Sequence, residues 1–149
     1  LLAPETCELA AQLREQLGSL AFRDLLIVDR VEVLPEHRGR GLGLVATSHF
    51  LEIFEGDCGV AVCTPYPLQS NLHRVGDRRW AEKLAVDRFD SNHHRSLAKL
   101  RRHWQRLGFE QLGNTKYFVL SLEHVRPKLA EVLADMACLE GAAGDAQIH

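Results

Sequence analysis

The chain has 149 residues, of which 46% are hydrophobic and 26% are charged, and its formal net charge at pH 7 is −2. This size is typical of one domain that buries a core of its own. The charge balance encodes no general attraction to nucleic acid or to a membrane surface. No stretch approaches the roughly 18 apolar residues of a membrane span, and no basic segment precedes a short apolar one as in a signal peptide.

The four cysteines show no C-x-x-C pair and no regular spacing: Cys7, Cys58, Cys63 and Cys138. Cys58 and Cys63 lie in or next to an apolar run, where a reduced, buried thiol is expected. The sequence therefore predicts a reducing, cytoplasmic setting.

The first predicted element is a helix over residues 5–17. Its leucines recur four residues apart up to Leu17, and Gly18 follows as a typical helix end. The chain opens with Leu1 instead of an initiator Met, and its single Met is Met136. We therefore expect that an N-terminal part is absent from this sequence.

A strand is predicted over residues 25–34, because the segment is rich in β-branched residues and alternates in its second half before Pro35. A helix is predicted over residues 41–54. Its buried face is predicted from residues at helical spacing: Leu42, Val45, Ala46, His49, Phe50 and Ile53. A second strand over residues 60–64 is ended by two prolines.

The polar residues 69–94 are too many for a plain connection and predict a functional or mobile loop, with a short helix over 78–86. Apolar residues at helical spacing then mark an amphipathic helix: Leu97, Leu100, Trp104 and Leu107. A hairpin of residues 109–112 and 117–122 turns at a Gly-Asn pair. A last helix over 127–139 precedes a frayed tail.

The order strand, helix, strand, helix and closing hairpin predicts an α/β domain with a mixed sheet. We divide the chain into an N-terminal helix and lead-in (residues 1–24), a core (25–123) with a variable loop (69–94), and a C-terminal helix with a flexible tail (124–149).

One turn joins the first strand to the helix that follows it: Arg38-Gly39-Arg40-Gly41-Leu42-Gly43. Unpaired N–H groups at a helix start, and the positive end of the helix dipole, make an anion site that glycines leave accessible and that arginines reinforce. The dinucleotide fingerprint fails, because its third glycine would fall on Leu44, and the Lys-Ser/Thr pair of a phosphate loop is missing. A phosphate-binding turn is predicted, with a purely structural turn as the alternative.

Two motifs in the expected order, about 65 residues apart, resemble those of the GNAT superfamily of N-acetyltransferases, in a bacterial-type member. The first is Arg38-x-x-Gly41-x-Gly43 after Val33-Leu34-Pro35. The second, Trp104-x-x-x-Gly108-Phe109 before a closing hairpin, is similar to the Y-x-x-x-G-F segment of the family. The resemblance covers roughly residues 25–122.

The resemblance implies a mixed, mostly antiparallel sheet with flanking helices and a V-shaped splay between two central strands. It implies acetyl-CoA as co-substrate and no metal. The backbone of Val31 and Val33 would pair with the pantetheine arm, and the turn would hold the pyrophosphate through Arg38, Gly39, Arg40, Gly41, Leu42 and Gly43. An amine would attack the acetyl carbonyl directly, helped by positioning and by a backbone N–H near Val33 that faces the oxyanion.

The reaction also needs a base, because an ammonium group is not a nucleophile. Strand alternation places Asp29, Val31 and Val33 on one face, with Arg30 and Glu32 on the other. Family members often take the carboxylate from this strand, so Asp29 is the first candidate and Glu32 the second. The alternative for both is an ordinary strand-end charge paired with an arginine.

A general acid is harder to assign. Many family members have a Tyr where this chain has Trp104, and an indole N–H has no useful acidity, so Trp104 is predicted to belong to the core. Tyr66 is the substitute candidate, with a surface Tyr in a Pro-rich turn as its alternative. Leu97 occupies the place of an Asn that is frequent in the family.

Basic residues cluster near the second motif: His93, His94, Arg95, Lys99, Arg101, Arg102, His103 and Arg106. They would contact the 3′-phosphate of the coenzyme or a nucleic acid, but a solvated helix face is the default, and the acidic overall balance argues against nucleic acid. The eight histidines show no H-x₃-H or HExxH spacing, so we expect no metal site.

We interpret the chain as an N-acetyltransferase that moves an acetyl group from acetyl-CoA to an amine of an unknown acceptor. The alternative is a catalytically inactive acyl-CoA-binding domain with a role in sensing or assembly, which Trp104 favours. The family normally has strands and two helices before the motif strand, so those elements lie in an absent part or the domain is abbreviated. No membrane partner is expected; pairing through the closing strand or the last helix would make a homodimer, which the sequence does not demand.

Overall fold

The computed structural model describes residues 4–21, 24–70 and 78–134. The helices and strands in these ranges are α1 Pro4–Leu17, β1 Leu25–Val28, α2 Leu42–Ile53, β2 Val60–Cys63, α3 Arg78–Lys83, α4 His93–Arg106, β3 Glu110–Gln111 and β4 Phe118–Ser121. Three short 3-10 turns cover Pro35–His37, Leu68–Ser70 and Val86–Arg88. A further helical segment covers residues 129–134.

The four strands form one mixed sheet in the order β1-β2-β4-β3. β1 and β2 are parallel, whereas β2 with β4 and β3 with β4 are antiparallel. The predicted α/β class with a mixed, mostly antiparallel sheet is therefore confirmed. β1 lies at an edge of the sheet in the described ranges, and not at its centre as the resemblance implied.

The first strand is shorter than the predicted residues 25–34. Its pairing with β2 begins at Leu25↔Val60 and ends at Val28↔Cys63. Two prolines follow β2 within four residues, and a proline has no N–H to continue a ladder. Residues 29–34 are consequently without a partner strand in the described part of the chain.

One face of the sheet packs against α2 and α4. Its core contains Leu44 and Leu51 of α2, Trp104 of α4 and Phe118 of β4, all of them buried. The Trp104 ring lies edge-on to Phe109, with 5.2 Å between ring centroids. The prediction that Trp104 belongs to the core is confirmed.

Among the described residues, the other face is covered by α1, and over β2 and β4 only. The predicted helix over residues 5–17 is confirmed. It contributes Leu13 and Leu17 to a second hydrophobic cluster, which also contains Leu20, Val60, Leu112 and Val119. On β1 the same face is uncovered, with Leu25 and Ile27 51% and 68% exposed.

The buried face predicted for α2 is wrong. The residues that α2 buries are Leu44, Thr47, Ser48 and Leu51, whereas Leu42, Phe50 and Ile53 are exposed. Hydrophobicity alone misjudged the face, because a buried hydroxyl costs little when it is satisfied within the helix. The Thr47 hydroxyl donates to the Gly43 carbonyl at 2.7 Å.

The predicted loop over residues 69–94 contains more structure than expected. α3 ends at Lys83, three residues before the predicted end of the short helix, and α4 begins inside the predicted loop. Asn92 fixes this start, because its side-chain oxygen accepts from the Arg95 N–H at 3.0 Å. Residues 71–77 lie outside the described ranges.

The closing hairpin is confirmed with shorter strands, and its turn uses Gly113 at a φ of +50°. Of the predicted helix over 127–139, residues 129–134 are helical, while everything from residue 135 onward, including the predicted tail, lies outside the described ranges. No described helix has the length and apolar character needed to cross a membrane.

The prediction of reduced, buried thiols at Cys58 and Cys63 is confirmed in part. Cys63 is buried and reduced, and burial raises its pKa to about 12. Cys58 is reduced but only half-buried. Since the thiolate is the reactive form, Cys63 is a structural residue.

Candidate functional site

The Gly-rich turn between β1 and α2 has a defined backbone path. The His37 N–H donates to the Leu34 carbonyl at 2.9 Å within the 3-10 turn Pro35–His37. Gly39 and Gly41 then take φ values of +73° and +70°. Residues with a Cβ are strained in that region, so both positions need glycine for the backbone alone.

Gly43 is a glycine of a different kind. Its φ is not positive, and a Cβ added to it would lie 3.4 Å from Val33 Cγ2 and 3.7 Å from His103 Cε1, which are ordinary contact distances. The backbone and the neighbours therefore permit a small side chain here. The glycine brings the backbone of the first turn of α2 close to Val33 and His103.

α2 begins without a side-chain cap. Gly41 is its N-cap residue and provides no side-chain oxygen, and the first turn holds no acidic residue. The first N–H groups of a helix have no acceptor within the helix, and the helix dipole places partial positive charge there. This end of α2 thus has the chemistry that binds an anion.

A cleft of about 570 Å³ opens beside this helix end. It lies between residues 29–33, which follow the paired part of β1, and the facing side of α4. The predicted site residues that line it are Asp29, Val31, Glu32, Val33, Arg38, Gly43 and Tyr66. The structure therefore brings both predicted carboxylates, both predicted valines and part of the turn to one space.

The other predicted residues of the turn do not line the cleft: Gly39, Arg40, Gly41 and Leu42. Arg40 and Leu42 are exposed. Gly39 and Gly41 therefore determine the shape of the turn, and Arg40 is a cation on its outer surface.

Arg38 has a structural role within the site. Its guanidinium donates from Nε to the Val33 carbonyl at 2.8 Å and from Nη2 to the Leu84 carbonyl, and it lies over the Phe89 ring at 4.3 Å from the centroid. Burial lowers its pKa, and the neighbouring Arg88 does so to a smaller extent, against the opposite effect of Glu36. Arg38 thus ties the turn to the segment after α3.

The two candidate bases have different surroundings. Glu32 is half-buried; it accepts a 2.7 Å hydrogen bond from the Trp80 indole N–H, and the Arg30 Nε lies 3.5 Å from its other oxygen. This pair matches the alternative reading of Glu32 as a carboxylate held by an arginine. Asp29 is exposed, and its carboxylate takes part in no hydrogen bond or ion pair among the described residues.

All five residues from 29 to 33 line the cleft. Residues 29–32 also border a second cavity, on the side of Ala46, Thr47 and Phe50 of α2. The alternation of side chains along this segment stays a prediction.

The predicted acid substitute, Tyr66, borders the cleft after β2. It is half-buried, and its ring lies edge-on to that of His93 with 6.0 Å between centroids. Trp104 also borders the cleft, while 94% of its surface is buried in the core (6% exposed). The cleft therefore holds one phenol and no acidic group at Trp104.

Four residues of α4 line the cleft: Ser96, Lys99, Leu100 and His103. The sequence placed Lys99 and His103 in the basic cluster and Leu100 on the apolar face, and it assigned no role to Ser96. Their spacing of three and four residues was the signal that groups them on one side of the helix. The Ser96 hydroxyl donates to the Asp90 carbonyl at 2.9 Å and accepts from Gln69 at 2.9 Å. These bonds hold α4 against the loop that closes the cleft.

Local interactions also shift acid–base properties around the cleft. The Asn92 N–H, which donates to the Asp90 carboxylate at 3.0 Å, lowers the pKa of Asp90. Burial lowers the pKa of His103, and Arg106 adds to this effect. In the described part of the chain, no three His, Cys, Asp or Glu side chains are grouped in a way that would hold a metal ion.

Comparison of the chain with models of protein families, with curated proteins and with solved structures finds no match in any of the three.

Proposed function

We propose that this chain is a cytoplasmic N-acetyltransferase of the GNAT type, which binds acetyl-CoA and acetylates an amine of an unknown acceptor. The observation that carries the proposal is the junction of two features. The cleft begins where the β1–β2 pairing ends, and it leads directly to the uncapped N-terminus of α2. In acetyl-CoA a long pantetheine arm with a terminal thioester is joined to a pyrophosphate, so the arm would fit the cleft and the pyrophosphate the helix end.

The point at which the β1–β2 pairing ends supports a V-shaped slot between residues 29–33 and the chain after β2. Beyond Val28 and Cys63 no described strand fills the space between residues 29–33 and the chain after β2. An extended pantetheine arm would lie there and use backbone groups that the sheet leaves unpaired.

The hydrogen bond from Arg38 affects which backbone groups of residues 31–33 can pair with the pantetheine arm. The Val33 carbonyl already accepts from Arg38 Nε, so one of its two lone pairs is used, whereas the Val33 N–H and the Val31 backbone have no strand partner among the described residues. For the oxyanion, the resemblance implies a backbone N–H near Val33. Arg38 would therefore orient this peptide, while the N–H groups at the start of α2 bind the pyrophosphate.

In the proposed reaction the acceptor nitrogen attacks the acetyl carbonyl carbon, a C–N bond forms and the C–S bond breaks. The attacking nitrogen loses a proton to a carboxylate, with Asp29 as first candidate because its oxygens have no described partner. The coenzyme A thiolate leaves and is protonated by Tyr66 or by water. Positioning of the two substrates provides most of the rate enhancement.

A second candidate is an acyl-CoA-binding domain without turnover, which serves in sensing or assembly. The observation in its favour is Trp104, which occupies the place of the family's acid and is packed against Phe109. Both candidates bind the coenzyme, so an assay of acetyl transfer to a panel of amines separates them.

The test of coenzyme binding is calorimetric titration of acetyl-CoA into the wild type and into Gly43→Glu. A glutamate in the first turn agrees with the helix dipole and should leave the fold intact, but it puts bulk and negative charge into the anion site. We expect micromolar binding to the wild type and at least about tenfold weaker binding to the variant, which corresponds to about 1.4 kcal/mol.

The matched control is Ala46→Glu, which makes the same change of charge one turn further along α2, where the residue is exposed. It should bind like the wild type. A folded wild type that binds no acetyl-CoA would refute the proposal and leave residues 38–43 as a structural turn.

A further inference from the structure

His103 lies on the other side of the cleft from the first turn of α2. Its Cε1 and Nε2 atoms are 3.7 and 3.9 Å from the position that a Cβ on Gly43 would occupy. The imidazole is half-buried in the cleft, and its ring centroid is 6.0 Å from that of Trp104. Among the described residues, neither ring nitrogen takes part in a hydrogen bond or an ion pair.

Charged groups of both signs line the cleft around His103, with Arg30, Arg38 and Lys99 as the cations. Its own helix brings Lys99 to the cleft and Arg106 close enough to affect it, and the turn on the facing side brings Arg38. The first turn of α2 has no acidic residue. The carboxylates that line the cleft belong to other elements: Asp29, Glu32 and Asp90.

These surroundings make His103 neutral near pH 7 in the free protein. Burial and Arg106 lower its pKa, and neither ring nitrogen is paired with a carboxylate among the described residues. An imidazole that is held neutral beside an uncapped helix end would gain a counter-charge as soon as an anion occupied that end.

We infer that His103 is a phosphate-binding residue of the coenzyme site, and that it takes up a proton when the pyrophosphate binds at the start of α2. The inference rests on the proposed function, because the pyrophosphate is that of the coenzyme. It adds a residue of α4 to a site that the sequence motif places entirely in the turn.

The sign of the pH dependence follows from linkage. Binding of the anion raises the pKa of His103 from a lowered value, so affinity is independent of pH above the pKa of the bound form. As the pH falls through that pKa, affinity increases, and the increase ends below the pKa of the free form. Each unit of separation between the two values corresponds to about a tenfold change in affinity.

Dephospho-coenzyme A is the probe of choice, because the 3′-phosphate of the full coenzyme has a second pKa of about 6 and would itself titrate in this range. We would titrate it calorimetrically between pH 5.5 and 8, at each pH in two buffers of different ionisation enthalpy, which counts the protons taken up. The wild type should bind roughly tenfold more tightly at the acidic end. Since this corresponds to about one unit between the two pKa values, it should take up about half a proton at the pH midway between them.

Two variants on the same helix provide the comparison. His103→Gln should bind more weakly than the wild type at acidic pH, with neither proton uptake nor pH dependence. His94→Gln removes an exposed histidine from α4 and should keep the behaviour of the wild type. Should His103→Gln fail to fold, the wild-type imidazole signal in NMR answers the question alone, because it must move towards its protonated position when the probe is added at a pH between the two pKa values.

Binding of the probe without proton uptake and without a shift of the His103 signal would overturn the inference and leave the proposed function intact. A wild type that binds neither this probe nor acetyl-CoA would refute the proposed function. Pantetheine, which has no pyrophosphate, should cause no protonation; if it does, the phosphate is not the partner of His103 and the inference is wrong.

Discussion

The two parallel segments that begin with β1 and β2 differ sharply between their first and second halves. In the first half, four residues of each strand pair in register and bury Val28, Ala61 and Cys63. In the second half, residues 29–33 have no partner among the described strands and border a cleft of about 570 Å³. The first halves of these two segments thus belong to the core, and their second halves border the cleft. The change from paired to unpaired backbone occurs between residues 28 and 29.

The cleft lies where the backbone hydrogen bonds between β1 and β2 end. The prolines after Cys63 prevent the ladder from continuing, so backbone groups of residues 29–33 are left for other partners. If this account is correct, substitutions in the first half should act on stability, and substitutions in the second half should act mainly on ligand binding.

The largest effect on stability is expected in the paired half. Phe118 lies opposite Cys63 in the β2–β4 register and is 1% exposed. Phe118→Ala should lower the free energy of unfolding by about 3–5 kcal/mol, through lost burial and an unfilled cavity. Urea denaturation measures this; Val125→Ala, at a fully exposed position, is the control and should change little. A loss below about 1 kcal/mol for Phe118→Ala would mean that the sheet centre is not packed as described.

An intermediate effect on stability is expected at Arg38, which ties the turn to its neighbouring segments. Arg38→Lys should lower the free energy of unfolding by about 1–2 kcal/mol, because a lysine cannot hold the Val33 and Leu84 carbonyls and stack on Phe89 at once. Arg40→Lys, at an exposed position in the same turn, should be neutral. Equal denaturation midpoints for the two variants would contradict the role of Arg38 in the turn.

The smallest effect on stability is expected in the unpaired half. Val33→Ala removes two methyl groups from a half-buried side chain and should cost no more than about 1 kcal/mol. Under the proposed function it should weaken acetyl-CoA binding, since Val33 lines the cleft next to Gly43. A large loss of stability with unchanged binding would contradict the assignment of the unpaired half to ligand binding.

The sequence predicted those parts of the fold that depend on local patterns. The helix after the turn, the pairing of β3 with β4 and the burial of Trp104 followed from periodicity, turn residues and apolar spacing. It also selected the carboxylates and valines that the structure brings to one cleft.

The parts that it missed depend on contacts between distant segments. Residues 25–34 have a continuous strand pattern, and only the path of the chain after Cys63 decides that pairing ends at Val28. The buried face of α2 includes Thr47, because a helix carbonyl satisfies its hydroxyl, which an apolar count does not register. His103 lies next to Gly43, which is 60 residues earlier in the chain, whereas the sequence placed it only in the basic cluster near the second motif.

The uncovered side of β1 affects how the protein behaves in concentrated solution. Leu25 and Ile27 combine an apolar surface with a strand that is at the edge of the described sheet. Such an edge is a template for association with other chains, and a net charge of only −2 provides little repulsion to oppose it. We expect the colloidal stability of this chain to depend on these two side chains more than on salt, so a detergent or an added strand-blocking charge at β1 would keep it dispersed more effectively than a change of buffer.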